Sequence, residues 1–81
     1  MQIAFSPGAW RRWRRLPADV QARLKDKLLR YVHDPLAHAV KLRDPRIGQY
    51  RFRIGDYRVV FDLEEETLLI LAVGHRKDIY C

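Results

Sequence analysis

Apolar residues in this chain recur with a helical period up to about residue 33 and with a strand period after residue 49. Trp10, Trp13 and Leu16 stand three apart, and Arg11, Arg12, Arg14 and Arg15 occupy the rest of that circumference. Ser6-Pro7 offers an N-cap followed by a proline at the first helical position, so a first helix is predicted over Pro7 to Arg15. Leu16-Pro17 breaks it. Pro17 then starts a second helix, with Asp19 in its first turn and Val20, Leu24, Leu28, Tyr31 and Val32 on one stripe. Asp34-Pro35 ends that helix near His33, because the residue before a proline disfavours the helical region. Gln2 to Phe5, closed by Ser6-Pro7-Gly8, reads as a short strand.

The second half is β. Leu36 to Gly48 is expected as a loop, followed by strands over Gln49 to Ile54, Tyr57 to Leu63 and Thr67 to Gly74. Gly55-Asp56 reads as a two-residue hairpin turn, because glycine takes positive φ without steric cost. That turn places Ile54 opposite Tyr57 and Arg53 opposite Arg58, with Arg51 diagonal to Arg58 on the same face. Glu64-Glu65-Glu66 is a solubilising second turn. If Leu63 faces Thr67 across it, then Tyr57, Val59, Phe61, Leu69, Leu71 and Val73 join Tyr50, Phe52 and Ile54 on the core face. The other face carries Arg51, Arg53, Arg58, Val60, Ile70 and Ala72. The expected architecture is one α+β domain over residues 1–81, in the order βααβββ: a helical hairpin on a small, mostly antiparallel four-stranded sheet.

Length and charge narrow the function. A chain of 81 residues buries roughly 60% of its unfolded surface, which leaves room for a modest core. No apolar run approaches a membrane span, and Met1-Gln2-Ile3 leads directly into strand sequence, so neither a membrane role nor a secretory signal is expected. Cys81 is the one cysteine, which excludes an internal disulfide or a cysteine-rich metal site and suits a reducing cytoplasm. No cofactor is expected. His33 and His38 lack a completing carboxylate and read as incidental, and Trp10 and Trp13 read as packing residues. Net charge is +6, and arginine supplies 12 of the 16 basic residues. Arginine forks onto phosphate and stacks on bases, so the bias points to nucleic acid.

Arg51, Arg53 and Arg58 share one hairpin face, and like charges directly opposite each other destabilise a sheet. An anion is therefore expected there. Arg76, in Gly74-His75-Arg76-Lys77-Asp78-Ile79-Tyr80, leaves the strand that neighbours Arg58 and can converge on the same pocket. Arg11, Arg12, Arg14 and Arg15, with Lys77, form a second basic group suited to RNA phosphates, and His75 is a candidate acid or base by its unperturbed pKa.

The stretch from Lys41-Leu42-Arg43 through Tyr50-Arg-Phe-Arg-Ile-Gly-Asp-Tyr-Arg-Val-Val-Phe61, with Val73-Gly-His-Arg-Lys-Asp-Ile-Tyr80, resembles the RelE/ParE superfamily of toxins, and its RelE-like branch above all. The resemblance implies the toxin of a type II toxin–antitoxin pair: a ribosome-dependent, metal-independent mRNA endoribonuclease. In such enzymes a ribose 2′-OH attacks the adjacent phosphate, leaving a 2′,3′-cyclic phosphate. Its implied partners are an acidic antitoxin, the ribosome and mRNA, with operator DNA met only through the antitoxin. Carried onto this chain, Arg51 and Arg53 take the strand basic positions, Arg58 holds the scissile phosphate, Arg76 stabilises developing charge, and Tyr80 stacks on or orients a base. Many relatives have lysine at the first strand positions. Arginine there is a poor proton acceptor, so the general base is unassigned. Alternative readings are a ParE-like inhibitor of DNA gyrase and a catalytically weak relic acting as co-repressor with its antitoxin.

Overall fold

The computed structural model describes residues 1–79; Tyr80 and Cys81 lie outside the described residues. The chain runs through β1 (Gln2–Phe5), α1 (Pro7–Arg15), α2 (Ala18–Tyr31), a 3-10 turn at Pro35–Ala37, β2 (Ala39–Lys41), β3 (Tyr50–Ile54), β4 (Tyr57–Glu64) and β5 (Thr67–His75). The α+β class and the helical hairpin are as the sequence predicts. The sheet differs in one respect: among the described residues it has five strands, in the order β1-β5-β4-β3-β2. The additional strand is Ala39–Lys41, inside the segment expected to be loop, and it pairs antiparallel with β3. β1 pairs parallel with β5, and the remaining neighbours are antiparallel.

Local chemistry explains where the helices begin and end. Ser6 caps α1, its Oγ accepting the Ala9 N–H at 3.2 Å with Pro7 at the first helical position. At the other end Gln21 Nε2 donates to the Trp13 and Leu16 carbonyls, at 3.0 Å each. The Trp13 carbonyl also accepts the Leu16 N–H at 3.1 Å, and by holding both carbonyls one α2 side chain fixes the corner between the two helices. α2 buries Val20, Leu24 and Leu28 against the sheet, as their spacing predicts. Phe52 and Phe61 pack beneath it with ring centroids 4.3 Å apart and a 30° tilt, and Tyr31 leans on Phe52 at 5.1 Å.

α1 packs differently from expectation. Its buried residue is Ala9, whereas Trp10 is 48% exposed and meets Phe5 edge-on at 5.4 Å. The reason is the tight approach of α1 to the edge of β5. β1 stops pairing at Phe5↔Ile70; Ser6 then donates its N–H to the Ile70 carbonyl and its hydroxyl to the Leu71 carbonyl. From there α1 runs beside the rest of β5, and a small side chain fits that approach.

The second hairpin corrects the expected register. Glu64 pairs with Thr67 and Leu63 with Leu68, so the turn has two residues, with Glu65 at φ 52°. This moves Leu68 and Ile70 into the core and leaves Leu69 and Leu71 partly exposed. A bulge then restores parity: Val60 pairs with Ala72 but Phe61 with Ile70, which leaves Leu71 as the extra residue. Val73 is core as predicted.

Candidate functional site

The first hairpin forms in the predicted register, with Ile54 opposite Tyr57 and Arg53 directly opposite Arg58. Gly55 takes φ 59° in the turn between them, with open space around it. Alternation brings Arg51, Arg53 and Arg58 to the face away from the helices. Their environments differ. Arg53 is exposed, Arg51 is half-buried between the cross-strand positions of Val40 and Val60, and Arg58 is only 7% exposed. Arg58 Nη1 donates to the carbonyls of Gly55 and Tyr57, both at 2.9 Å. These carbonyl dipoles offset part of its repulsion with Arg53 and tie the guanidinium to the turn.

Arg76 reaches the same turn from the end of β5. Its backbone N–H donates to the Asp56 carbonyl at 2.7 Å, and its Nε lies 3.8 Å from Asp56 Oδ1. Arg58 and Arg76 therefore grip the two residues of one hairpin turn, and Arg53 projects beside them. Asp62, an acidic residue on the same strand as Arg58, is engaged elsewhere: at the far end of the sheet its Oδ1 accepts the Gln49 N–H at 2.7 Å.

His75 is not brought to that face. It pairs with Tyr57, so it stands on the helix side of the sheet, with its ring edge-on to Tyr57 at 5.6 Å. Its Nδ1 accepts the Lys77 N–H at 3.1 Å, which organises the turn after β5. The α1 arginines divide into two groups. Arg12 and Arg15 line a groove shared with Tyr57, His75 and Asp78, while Arg11 and Arg14 face outward with Arg15. Arg12, which the sequence groups with the other α1 arginines, has its Nη1 3.5 Å from where a Cβ on Gly74 would stand. Gly74 is the cross-strand partner of Arg58, so Arg12 is one strand away from the arginine face. The closeness of α1 to β5 carried no sequence signal beyond Ala9. Among the described residues no group of three or more His, Cys, Asp or Glu side chains could hold a metal ion. Tyr80, assigned to base stacking, lies outside the described residues.

Residues 3–80 match the family described as ParE toxin of type II toxin-antitoxin system, parDE. The chain belongs to the RelE/ParE superfamily of toxins. Within it, the toxin is 32% identical over 78 residues to the mRNA interferase toxin RelE of Escherichia coli K12, which covers 93% of this chain and 82% of that protein. Its fold is similar to the toxin–antitoxin complex RelBE2 of Mycobacterium tuberculosis, with TM-score 0.81, 28% identity, and 93% and 96% of the two chains covered. The isolated E. coli RelE toxin is similar too, with TM-score 0.75, 26% identity and 91% and 82% coverage. The toxin is thus the toxic component of a type II toxin–antitoxin system whose near relatives include RelE-type mRNA interferases. No helix among its described residues is long and apolar enough to cross a membrane.

Proposed function

We propose that this toxin cuts mRNA in the ribosomal A site, in the cytoplasm, and is held inactive by a cognate acidic antitoxin that covers its basic surface. The observation that carries the reading is the convergence of Arg58 and Arg76 on the Gly55-Asp56 turn, with exposed Arg53 opposite Arg58. In the proposed step a ribose 2′-oxygen bonds to the adjacent phosphorus and the bond to the 5′-oxygen breaks. The products are a 2′,3′-cyclic phosphate and a free 5′-hydroxyl, and no metal takes part. One proton leaves the 2′-hydroxyl for solvent or a ribosomal group, and one returns to the departing 5′-oxygen. Arg51 and Arg53 draw the backbone onto the sheet, Arg58 fixes the phosphate's position, and Arg76 meets the charge that grows on its oxygens. Tyr80 stacks on or orients a neighbouring base. Positioning and charge stabilisation are the main demands of in-line phosphoryl transfer. Arginine suits both and cannot serve as the base. Arg11, Arg14, Arg15 and Lys77 add sequence-independent grip on ribosomal RNA phosphates.

Primer extension on a reporter mRNA in translating extract tests this reading. The expected result is codon-phased cuts that require ribosomes and fall about 10²-fold or more in Arg76→Ala and Arg53→Ala, both at exposed positions. Intact mRNA with failing DNA supercoiling would move the toxin to the gyrase-inhibiting reading that its ParE family match also supports. Neither effect, with operator binding by the antitoxin complex intact, would leave a co-repressor.

A further inference from the structure

The arginine face leaves unused the groove on the other side of β5. This opening of about 320 Å³ lies between the end of α1 and the end of β5. Leu16 and the half-buried Tyr57 give it an apolar floor, and His75 closes one wall with its ring at 77° to Tyr57. Arg12, Arg15 and the exposed Asp78 line it as well. Because His75 Nδ1 accepts from the Lys77 backbone, the neutral ring carries its proton on Nε2.

We propose that this groove is a base-binding subsite for the RNA nucleotide next to the one cut at the arginine face, an inference that rests on the RNA-cleaving reading above. An unpaired base stacks on the face of an aromatic ring or of a guanidinium, and Tyr57, His75, Arg12 and Arg15 bring both kinds of plane to this groove. The Asp78 carboxylate accepts only: the amino group of adenine, cytosine or guanine can donate to it, whereas uracil offers a single N3–H set between two carbonyl oxygens that the carboxylate repels. Arg12 and Arg15 take the flanking phosphate. Gly74 joins the two sites: it walls the groove and pairs with Arg58, so a strand of RNA held at Arg58 passes one β-strand away from it. Asp78 repels the phosphates of RNA and the side chains of an acidic peptide alike, but a nucleobase also brings an amino donor to that carboxylate and a flat ring to the aromatic lining.

The test is NMR titration of the isotope-labelled toxin with 2′-O-methyl tetranucleotides of adenosine, cytidine or uridine, which cannot be cut by a 2′-hydroxyl. Saturable amide shifts are expected at Leu16, Gly74, His75 and Asp78, with the adenosine and cytidine chains binding about tenfold tighter than uridine. Asp78→Asn should erase that preference, and Arg12→Ala should weaken all three ligands about tenfold. Shifts confined to residues 51–58, equal affinity for the three bases, or groove shifts seen only with a glutamate-rich peptide would each overturn the proposal. The two readings fail separately. Ribosome-dependent cleavage with a silent groove removes the subsite alone. Groove binding by a toxin that cuts no mRNA removes the nuclease reading and leaves a ribonucleotide site.

Discussion

Replacing Arg53 by threonine should make the toxin more stable and less active. Arg53 sits directly across from Arg58, and both carry full charge at neutral pH. Opposed like charges on a sheet cost about 0.2–1 kcal/mol. The lower half of that range applies, because Arg53 is exposed and Arg58 has its Nη1 on the Gly55 and Tyr57 carbonyls. Threonine keeps strand propensity while removing the charge. A gain of about 0.5 kcal/mol is expected, or roughly 2–4 °C in Tm for a domain this small. Arg58→Met should do the opposite. It removes two charge-assisted bonds from a side chain only 7% exposed and should cost about 2–3 kcal/mol. Urea unfolding followed by circular dichroism measures both at about 0.01 M and 1 M salt, where the screening length falls from about 30 Å to 3 Å. The Arg53→Thr gain should largely vanish at high salt, whereas the Arg58→Met loss should persist. A salt-independent gain, or a loss of stability in Arg53→Thr, would refute the claim that this pair is maintained against folding.

Three further outcomes test the scaffold. Gly48→Ala should destabilise by about 1–3 kcal/mol in thermal unfolding, because a Cβ there would stand 2.6 Å from Val60 Cγ1, on a buried side chain with little freedom to move. Gln21→Leu takes the Gln21 amide away from the Trp13 and Leu16 carbonyls, of which Trp13 keeps the Leu16 N–H, and should cost about 1–2 kcal/mol, with amide exchange accelerating first in α1. Asp44 should titrate below the usual carboxylate range by NMR, because the Arg46 guanidinium, and then the Arg46 backbone N–H, hold its charged form; Arg46→Ala should raise it toward the ordinary value.

What the sequence disclosed depended on how locally each feature was determined. The first hairpin was legible because Gly55-Asp56 is a strong turn signal and two residues fix the register of everything around it. That was enough to oppose Arg53 and Arg58. The second hairpin was not, because Glu65 adopts positive φ without being glycine, and one residue of error turns every following side chain over. Leu68 and Ile70 were misplaced for that reason, and Val73 came out correct because the bulge at Leu71 cancelled the shift. β2 was invisible: Ala39-Val40-Lys41 is too short to show alternation and gains its partner only across the long connection to β3. Arg76 meets the Gly55-Asp56 turn because it leaves the end of the strand beside Arg58, which the strand order alone sets, whereas the approach of Arg12 depends on tertiary packing of α1 against β5.

The parallel pairing of residues 2–5 with residues 67–70 sets the order in which the toxin becomes dangerous. β1 emerges first from a translating ribosome and has no sheet partner until β5 has followed it out. Arg58 and Arg76 are joined through a contact between the turn at 55–56 and residue 76, which forms later still. Long-range pairings of this kind fold slowly, since a long loop must close before they gain any contact energy. A nascent chain therefore carries its arginines through most of synthesis as an unassembled set. The interval before they assemble gives a co-produced antitoxin time to meet a chain whose arginine face has not yet formed.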